Sequence, residues 1–422
     1  MASSVPVIQV LSRNNYEDQH IVALPESSSL PTLPPSSLRI KTSILSLTTN
    51  NFSYARIGHL LGWWDIHLLP ESIPAEYADP KKFGRISGWG YGIVLESNVS
   101  EIQVGTQLYG YLPIGTLPVD VEIQIDTQVP NQIVVTSKHR QHVLPIYNRY
   151  LAFPPANTSE GTTQEQHSKG YDSLMQVLFE TSYMMNRFVF ASESAELVHP
   201  SGDPNDGWTL EKADIGPKTT VVIFSPSGKT ALAFAHQLKH SRPVGKLPHA
   251  IIGVGSSASQ AFSEGTGLYD KVLIYEADSG DLSLELGLQA DSKIIVCDFG
   301  ARGNAPARWA AKLKPSYSSL VQLDIGGEVV PDSPEKTTEK FMARMGGPLI
   351  INASALRSQA MAIVGEKKYF EEFLKEWEAF KAQGGVKGLG LIWGSGMDDV
   401  KKGWEALCRG EVGPNQGLVY KL

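Results

Sequence analysis

The pattern of apolar residues changes partway along the chain, and this change constrains the fold more than any other feature. The first 150 residues are rich in Val, Ile, Thr and Gly. Turn residues interrupt them about every 8 to 12 positions, which is typical of short strands in a barrel or sandwich. Strands are predicted at 37–47, 90–96, 107–111 and 132–135. From Tyr171 onward, apolar strands alternate with helical segments, as in a parallel sheet with helical crossovers.

The composition excludes several classes of protein. At about 150 residues per domain, a chain of 422 residues predicts two or three domains. The formal charge is -7, and no dense basic run is present, so nucleic acid is not an expected partner. Cys297 and Cys408 are the two cysteines; they cannot build a disulfide framework or a four-thiolate zinc site. This cysteine usage fits a reducing compartment, and we expect a cytoplasmic enzyme.

No segment of the sequence is predicted to be secreted or to cross a membrane. The apolar run at 5–11 is interrupted by Pro6 and Gln9. The most apolar helical segment, 174–191, carries Glu180 and Arg187 and falls short of the roughly 20 residues that a bilayer requires. It is predicted to be a buried helix, so a membrane is not an expected partner.

The second half of the chain is predicted to be an α/β domain. Its strands are expected at 220–224, 249–254, 271–275, 293–297 and 319–323. Helices are expected at 366–383 and 398–407, followed by a terminal strand at 417–421. The polar stretches 153–170 and 198–218 are predicted to be surface loops.

The most informative stretch for function is VVIFSPSGKTA at 221–231. A short apolar strand runs through a Ser/Gly turn into a helix, whose first amides and partial positive charge favour anions by about 0.3 to 1 kcal/mol each. A pyrophosphate would fit there. The predicted contacts are Ser225, Ser227, Gly228, Lys229 and Thr230.

Two known phosphate-binding motifs match this turn incompletely. A Walker loop requires Gly where Ile223 stands, so an NTPase is not expected. The dinucleotide fingerprint GxGxxG is also incomplete, because Ser225, Ser227 or Gly228, and Ala231 occupy the positions that need small residues.

A second glycine motif, GVGSSA at 253–258, follows the next predicted strand. It comes about 30 residues after the first strand, where the second strand of a βαβ unit should end beside the adenosine ribose. Ser256, Ser257 and Ser259 stand there without Asp or Glu, which favours NADP(H) over NAD. The alternative is an ordinary Ser-rich turn.

Taken in order, these segments resemble the medium-chain dehydrogenase/reductase superfamily. The resemblance is carried by LSLTTNNFSYARIGH at 45–59, GYGIVLESNVSEIQVGTQLYGYLPIG at 90–115, SPSGKTALAFA at 225–235 and the closing GPNQGLVYKL. It implies a GroES-like β-barrel catalytic domain at 1–184 and 385–422. A Rossmann nucleotide-binding domain at 185–384, with a doubly wound parallel sheet, is implied between them.

Within that superfamily, the chain is most similar to a poorly characterised family of domains of unknown function. The shared segments are NNFSYARIG, FGRISGWGYG, YGYLP, YNRY, SPSGKTAL and GLYDKVLIYE. The chain departs from that family's pattern at Gly228, where the family tends to have Ser, and at Ser259 and Gln260, where it tends to have an Arg-Asn pair.

The superfamily resemblance also has consequences for cofactor, metal and assembly. It implies an NADP(H) cleft between the domains, a small-molecule substrate and a possible homodimer. Zinc-dependent relatives need Cys and His ligands in the barrel, and no Cys occurs before position 297. A zinc-independent enzyme is therefore expected, with no metal site.

Tyr54 is the predicted catalytic residue. If hydride moves from a nicotinamide to an enone or carbonyl, the developing negative charge needs a hydrogen-bond donor. Tyr54 lies in the segment that lines the substrate side of the cleft in the superfamily, and its phenol, with a pKa of about 10, stays protonated at neutral pH. Asn51 is predicted to orient the substrate or to fix the loop. The alternative for Tyr54 is a barrel residue with a satisfied hydroxyl.

A group of aromatic residues is predicted to form an apolar substrate pocket or, alternatively, barrel core. They are Trp63, Trp64, Trp89, Tyr91 and Tyr111. Asp298 is expected to serve a turn at the end of its strand, with an approach to the nicotinamide side of the cleft as the alternative. Cys297 is expected to be a buried, inert thiol.

The predicted function is reduction of an activated double bond or carbonyl of an apolar small molecule, as in quinone and enoyl reductases. Two alternatives stay open: a redox-neutral lyase or isomerase on the same scaffold, and a non-catalytic nucleotide-binding protein. A hydrolase is not expected, because the sequence contains no GxSxG motif and its HxxH pair, His139 and His142, is isolated.

Overall fold

The β-rich part of the chain forms a closed antiparallel barrel in the computed structural model, which describes residues 5–25, 31–155, 163–202, 207–328, 330, 332–344 and 346–422. The strands before the parallel sheet are β1 (Val7–Ser12), β2 (Gln19–Ala23), β3 (Ser37–Leu47), β4 (Phe83–Gly84), β5 (Ser87–Ser97), β6 (Gln107–Pro113), β7 (Val119–Ile125), β8 (Gln132–Val135) and β9 (Arg149–Phe153). The barrel order is β3-β5-β6-β9-β8-β7, and β7 pairs back with β3. The predicted strands of the first domain are confirmed.

One glycine of the barrel explains part of the WGYG sequence. In β5, a Cβ on Gly90 would lie 2.1 Å from the carbonyl oxygen of Ile44 in the paired strand β3. Glycine is required there because the two backbones approach too closely for any side chain.

The second half of the chain contains a parallel sheet with helices against it. Its strands are β10 (Thr219–Phe224), β11 (Ala250–Gly255), β12 (Lys271–Ile274), β13 (Lys293–Phe299), β14 (Leu320–Gly326) and β15 (Leu349–Ile350), and the chain ends with β16 (Gly390–Ser395) and β17 (Gln416–Lys421). The order β12-β11-β10-β13-β14-β15 is that of a Rossmann sheet. Every paired neighbour is parallel, and β10, buried throughout, lies near the centre. The predicted Rossmann architecture is confirmed.

The helices connect the two sheets and cover their faces. They are α1 (Thr49–Arg56), α2 (Gly58–Leu61), α3 (Thr163–Met184), α4 (Leu210–Ala213), α5 (Lys229–His240), α6 (Ser257–Gly265), α7 (Leu282–Glu285), α8 (Ala305–Leu313), α9 (Pro334–Arg344), α10 (Ala353–Val364), α11 (Glu366–Ala382) and α12 (Gly396–Cys408). Strands β16 and β17 return to the barrel sheet, where β17 pairs with β3. None of the described helices has the length and hydropathy of a bilayer span.

Three sequence-based element predictions differ from the structure. The stretch 153–170 is not all loop, because α3 includes Thr163 to Gly170; residues 156–162 lie outside the described part. The first turns of α3 are polar, with an exposed Glu165–Lys169 ion pair, and this hides the helical period. The helix predicted at 174–191 leaves α-helical geometry at Met184 and continues as a π-helical turn, Met185–Val189. The stretch 198–218 contains the short helix α4, and residues 203–206 lie outside the described part.

Helix α3 is fixed between the domains by two buried carboxylates. Asp172 accepts hydrogen bonds from Tyr91 of the barrel (2.6 Å) and from Trp377 of α11 (2.8 Å). Two turns later, Glu180 accepts from Arg357 Nε (2.7 Å) and from the Tyr369 hydroxyl (2.8 Å), and Arg357 Nη2 completes a bidentate pair. These bonds join α3 to the barrel, α10 and α11.

Replacing Glu180 tests this anchoring. We expect Glu180→Ala to lower the free energy of unfolding by about 3–5 kcal/mol, because it leaves the buried Arg357 guanidinium without its counter-ion. Urea denaturation measures the change. Glu165→Ala, which removes an exposed ion pair from the same helix, should cost only about 0.3–0.5 kcal/mol. Equal losses in the two variants would contradict the assigned role of the buried pair.

Candidate functional site

A cleft of about 1380 Å³ separates the barrel from the parallel sheet. Helix α1 contributes Asn50 and Tyr54 to one wall, and the start of α5 contributes Thr230 to the other. Asp298 and Asp324, at the ends of the neighbouring strands β13 and β14, lie at its floor. The cleft therefore lies at the carboxyl edge of the Rossmann strands, where ligands bind in open α/β sheets.

The turn between β10 and α5 leaves helix amides unpaired within the helix. Ser225 has a φ of 57°, and the Gly228 amide donates to the Ser225 carbonyl at 3.0 Å. No side chain of the described residues caps α5, and the first hydrogen bond of this helix runs from the Leu232 amide to the Gly228 carbonyl at 2.9 Å. The amides of residues 229–231 thus have no acceptor within the helix, an arrangement that suits an anion.

Lys229 adds a cation to the start of α5. Its ammonium group donates a hydrogen bond to the Gln416 carbonyl at 3.2 Å, and burial lowers its pKa to about 8. An anion close to this group would favour its charged form. Thr230 faces the cleft while its carbonyl accepts from the Ser182 hydroxyl of α3 at 2.8 Å. Ser227 is half-buried in the turn.

The second glycine motif supports the first turn. A Cβ on Gly253 would lie 3.0 Å from Pro226, and one on Gly255 would lie 2.9 Å from it. The Tyr269 hydroxyl donates to the Pro226 carbonyl at 2.6 Å. The two glycines of β11 therefore let the turn at Pro226 pack directly on the neighbouring strand, a role that the sequence analysis did not assign.

The serines after β11 border a second cavity of about 290 Å³. Ser256 and Ser257 line it together with Tyr275 and Glu276, which follow β12, and with Arg302, Gly303 and Arg308, which follow β13. Ser259 does not line it; its hydroxyl donates to the Ser256 carbonyl at 3.1 Å. The sequence carries no signal for the arginines, since they lie more than 40 positions from the serines and the parallel topology brings them together.

Tyr54 is buried, and two N–H donors hold its hydroxyl oxygen. Asn50 Nδ2 donates to it at 2.7 Å and Trp89 Nε1 at 3.0 Å. Burial raises the pKa of Tyr54 to about 12, so the phenol stays protonated at neutral pH. The Tyr147 side chain is a further hydrogen-bond partner of the Tyr54 side chain. With the two N–H donors on its oxygen, the Tyr54 hydroxyl can donate either to Tyr147 or to a group bound in the cleft. Asn50 was missed by the sequence analysis, although it precedes Tyr54 by one helical turn, a spacing at which side chains meet.

Asn51 does not reach the cleft. Its side-chain oxygen accepts from the Thr48 amide at 2.8 Å, and its nitrogen donates to the Ser87 carbonyl at 3.1 Å. The side chain therefore caps α1 and ties the helix to β5, which is the loop-fixing role rather than the substrate-orienting one.

The five aromatic residues predicted for the substrate pocket occupy different places. Trp63 lines the cleft, whereas Trp89 and Tyr111 pack behind Tyr54. The Tyr91 hydroxyl donates a hydrogen bond to Asp172. The Trp64 ring lies under the Arg13 guanidinium. The bulk of this group is barrel core. Tyr147, which the prediction did not include, lines the cleft and packs edge-on against Tyr54 with ring centroids 5.9 Å apart.

Two other residues that the sequence singled out, Asp298 and Cys297, are held within the protein. Asp298 Oδ1 accepts from the amides of Gly300 (2.8 Å) and Ala301 (2.7 Å), which gives it the expected turn role. Burial raises the pKa of the Asp298 carboxyl and of the Cys297 thiol, which is wholly buried. Within the described ranges, no group of three or more His, Cys, Asp or Glu is placed to hold a metal ion.

Comparisons with known proteins give the family and the fold. Residues 45–413 match the family described as "Protein of unknown function (DUF2855)". No curated protein matches the sequence.

Three solved structures show the same two-domain fold. CurA from Vibrio vulnificus in complex with NADPH has 13% identity and a TM-score of 0.52, over 99% of this chain and 98% of that chain. A mutant form of enoyl thioester reductase from Candida tropicalis has 11% identity and a TM-score of 0.54, over 100% of both chains. The Etr1p/NADP/crotonyl-CoA complex has 10% identity and a TM-score of 0.55, also over 100% of both chains. They confirm the expected GroES-like barrel and Rossmann domain.

Glycine substitutions in β11 test how the turn between β10 and α5 packs on this strand. We expect Gly255→Ala to lower the free energy of unfolding by about 1–3 kcal/mol, because its Cβ would press on the Pro226 ring. Gly265→Ala is the control: no atom lies within 4 Å of its Cβ position, at the exposed end of α6, so its stability should be unchanged or slightly higher. Urea denaturation of both variants gives the comparison, and a harmless Gly255→Ala would contradict the packing role.

Proposed function

The chain belongs to the family described as "Protein of unknown function (DUF2855)", and we propose that it is an NADP(H)-dependent oxidoreductase. The proposed reaction reduces an activated double bond or carbonyl of an apolar small molecule, without zinc. The observation that carries this proposal is the Tyr54 hydroxyl, held by two N–H donors on one wall of a cleft whose other wall carries the start of α5.

The residues at the start of α5 fit the diphosphate of a dinucleotide; of the predicted contacts Thr230 lines the cleft, whereas Ser225, Ser227, Gly228 and Lys229 lie behind its lining. The start of α5 offers amides, and among the described residues Lys229 donates to the Gln416 carbonyl alone, which leaves two N–H groups to reach an anion. Ser227 and Thr230 add hydroxyl groups around the same turn, while the Ser225 hydroxyl is paired with the Tyr275 hydroxyl at 3.0 Å. Similar folds have been solved with NADPH and with NADP, which supports a dinucleotide here.

The second cavity fits the 2′-phosphate that distinguishes NADP(H) from NAD(H). Ser256 and Ser257 contribute hydroxyl groups, and Arg302 and Arg308 contribute cations. Arg308 also bonds Asp278 (Nε to Oδ2, 3.1 Å), so part of its charge is already paired. We therefore assign the main 2′-phosphate contact to the exposed Arg302.

The residues near Tyr54 would then bind and orient the substrate. When bound, the nicotinamide supplies the hydride. The substrate's carbonyl oxygen, on which negative charge develops, accepts a hydrogen bond from the Tyr54 hydroxyl, and the proton that completes the reduction comes from this hydroxyl or from water. Asn50 and Trp89 fix the direction of that hydroxyl by donating to its oxygen. Apolar residues of the cleft, including Ile57, Leu144 and Val177, exclude water and favour an apolar substrate such as an enone, a quinone or an enoyl thioester.

The role of Tyr54 is tested by removing its hydroxyl. We expect Tyr54→Phe to lower kcat about 10²–10³-fold with an accepted enone or enoyl thioester, while the Kd for NADPH stays unchanged. Loss of nicotinamide absorbance measures turnover. Tyr111→Phe is the matched control, because that buried hydroxyl has no hydrogen-bond partner in the described part of the chain. Unchanged turnover in Tyr54→Phe would remove this residue from the mechanism.

The assignment of Arg302 predicts a change in cofactor preference. Arg302→Ala should raise the Kd for NADPH about tenfold, since it removes a charged contact to the 2′-phosphate, and should leave the Kd for NADH unchanged. Quenching of protein fluorescence during titration with each cofactor gives both constants. A parallel loss of affinity for both cofactors would place Arg302 elsewhere than at the 2′-phosphate.

A further inference from the structure

A group of buried cations lies in the barrel domain outside the cleft. Arg85 is 3% exposed, His67 is 6% exposed and Arg140 is wholly buried. Arg85 lies in the bend between β4 and β5, His67 follows the turn Trp63–Asp65, and Arg140 ends the turn Lys138–Arg140. The three side chains lie near one another. The charges of Arg140 and Arg85 both lower the pKa of His67. Arg85 Nη1 donates to the carbonyl of Leu68, the residue after His67, at 3.4 Å.

Arg140 is satisfied by neutral acceptors. Its nitrogens donate to Asn148 Oδ1 (3.1 Å), the Tyr150 hydroxyl (3.1 Å) and the Tyr147 carbonyl (2.8 Å). Each side of this guanidinium therefore has an acceptor. Through Tyr147, it also touches the wall of the cleft.

Arg85 differs, because one edge of its guanidinium has no acceptor. Among the described residues, neither its Nε nor its Nη2 has a hydrogen-bond partner, and the same is true of His67 Nε2. The Nε and Nη2 hydrogens of an arginine point in the same direction and grip two oxygen atoms at once. Buried donors of this kind are costly to leave unpaired.

Two other arginines of this chain show what that edge binds. Arg39 uses Nε and Nη2 to hold both oxygens of Asp120, at 2.7 and 2.8 Å. Arg357 uses the same two nitrogens to hold Glu180. For Arg85, no carboxylate of the described residues takes this place.

The charge balance of the group leads to the same conclusion. Burial alone lowers the pKa of Arg85, to about 10, so the side chain remains a cation at neutral pH. Burial and the charges of Arg140, Arg85 and His139 all lower the pKa of His67. A buried cation without a counter-ion is unfavourable, and an anion beside it would be stabilised.

We propose that Arg85 and His67 form a binding site for a small oxyanion, such as a phosphate or a carboxylate group. Two oxygens of the anion face Arg85 Nε and Nη2, and His67 Nε2 donates to the anion. The site is separate from the cleft, because neither residue lines it. The anion would stabilise the part of the barrel that supports Tyr147.

Thermal unfolding of the full chain tests the site. Sodium phosphate and sodium acetate are each titrated against sodium chloride at constant ionic strength. We expect phosphate, acetate or both to raise the unfolding midpoint saturably, by about 2 °C or more. The titration in which the rise of the midpoint saturates identifies the anion that binds. The rise should disappear in Arg85→Lys, which keeps the charge but loses the two-pronged edge.

Two matched variants separate this site from other anion effects. Arg242→Lys should keep the rise: Arg242 is also buried with a pKa lowered to about 10, but its Nε already donates to the Lys246 carbonyl at 2.7 Å. Lys229→Met should also keep it, which excludes the cleft as the source of the effect. No saturable rise in the wild type, or the same rise in Arg85→Lys, would overturn the proposal.

Direct binding keeps the proposal testable if Arg85→Lys does not fold. Equilibrium dialysis of the wild type and of His67→Asn against radiolabelled phosphate and acetate should show saturable binding that His67→Asn weakens. Absence of binding of both anions by the wild type, or equal binding by the two proteins, would contradict the site.

Discussion

The bonds that α3 makes to both domains are the constraint on which the cleft depends. Asp172 and Glu180 are buried carboxylates on one helix, and their partners come from the barrel and from α10 and α11. Ser182 of the same helix bonds the Thr230 carbonyl at the start of α5. One helix therefore sets how far the barrel wall with Tyr54 lies from the turn with Lys229. Any chemistry between these walls requires that spacing to be fixed before substrate binds.

The two walls meet different physical demands. The barrel wall holds a neutral phenol in an apolar, aromatic surrounding, where burial keeps it protonated and two donors orient it. On the opposite side, the start of α5 offers unpaired amides and the Lys229 ammonium group behind Thr230, and Arg302 lines the second cavity. The proposed reaction needs such a division. Water should be excluded where the nicotinamide meets the apolar substrate, and cationic groups should bind the phosphates of the dinucleotide.

Much of the fold could be predicted from the sequence, because strand periodicity and turn residues are local signals. The apolar run of β10 and its spacing to β11 are enough to predict a parallel sheet from the sequence. The start of α3 could not be predicted in this way, since polar side chains cover its first turns. At the site, the resemblance to a known superfamily predicted the position of Tyr54 beside the cleft. Asn50, Tyr147 and Arg302 were missed, because their placement depends on side-chain direction or on contacts between distant segments.

Titration of the full chain with NADPH, followed by protein fluorescence for the wild type and Lys229→Met, tests the central claim most directly. If the start of α5 binds the diphosphate, the wild type binds NADPH saturably and Lys229→Met binds it at least about tenfold more weakly. A wild type that shows no binding at millimolar NADPH, or a variant that binds as tightly as the wild type, would contradict the account.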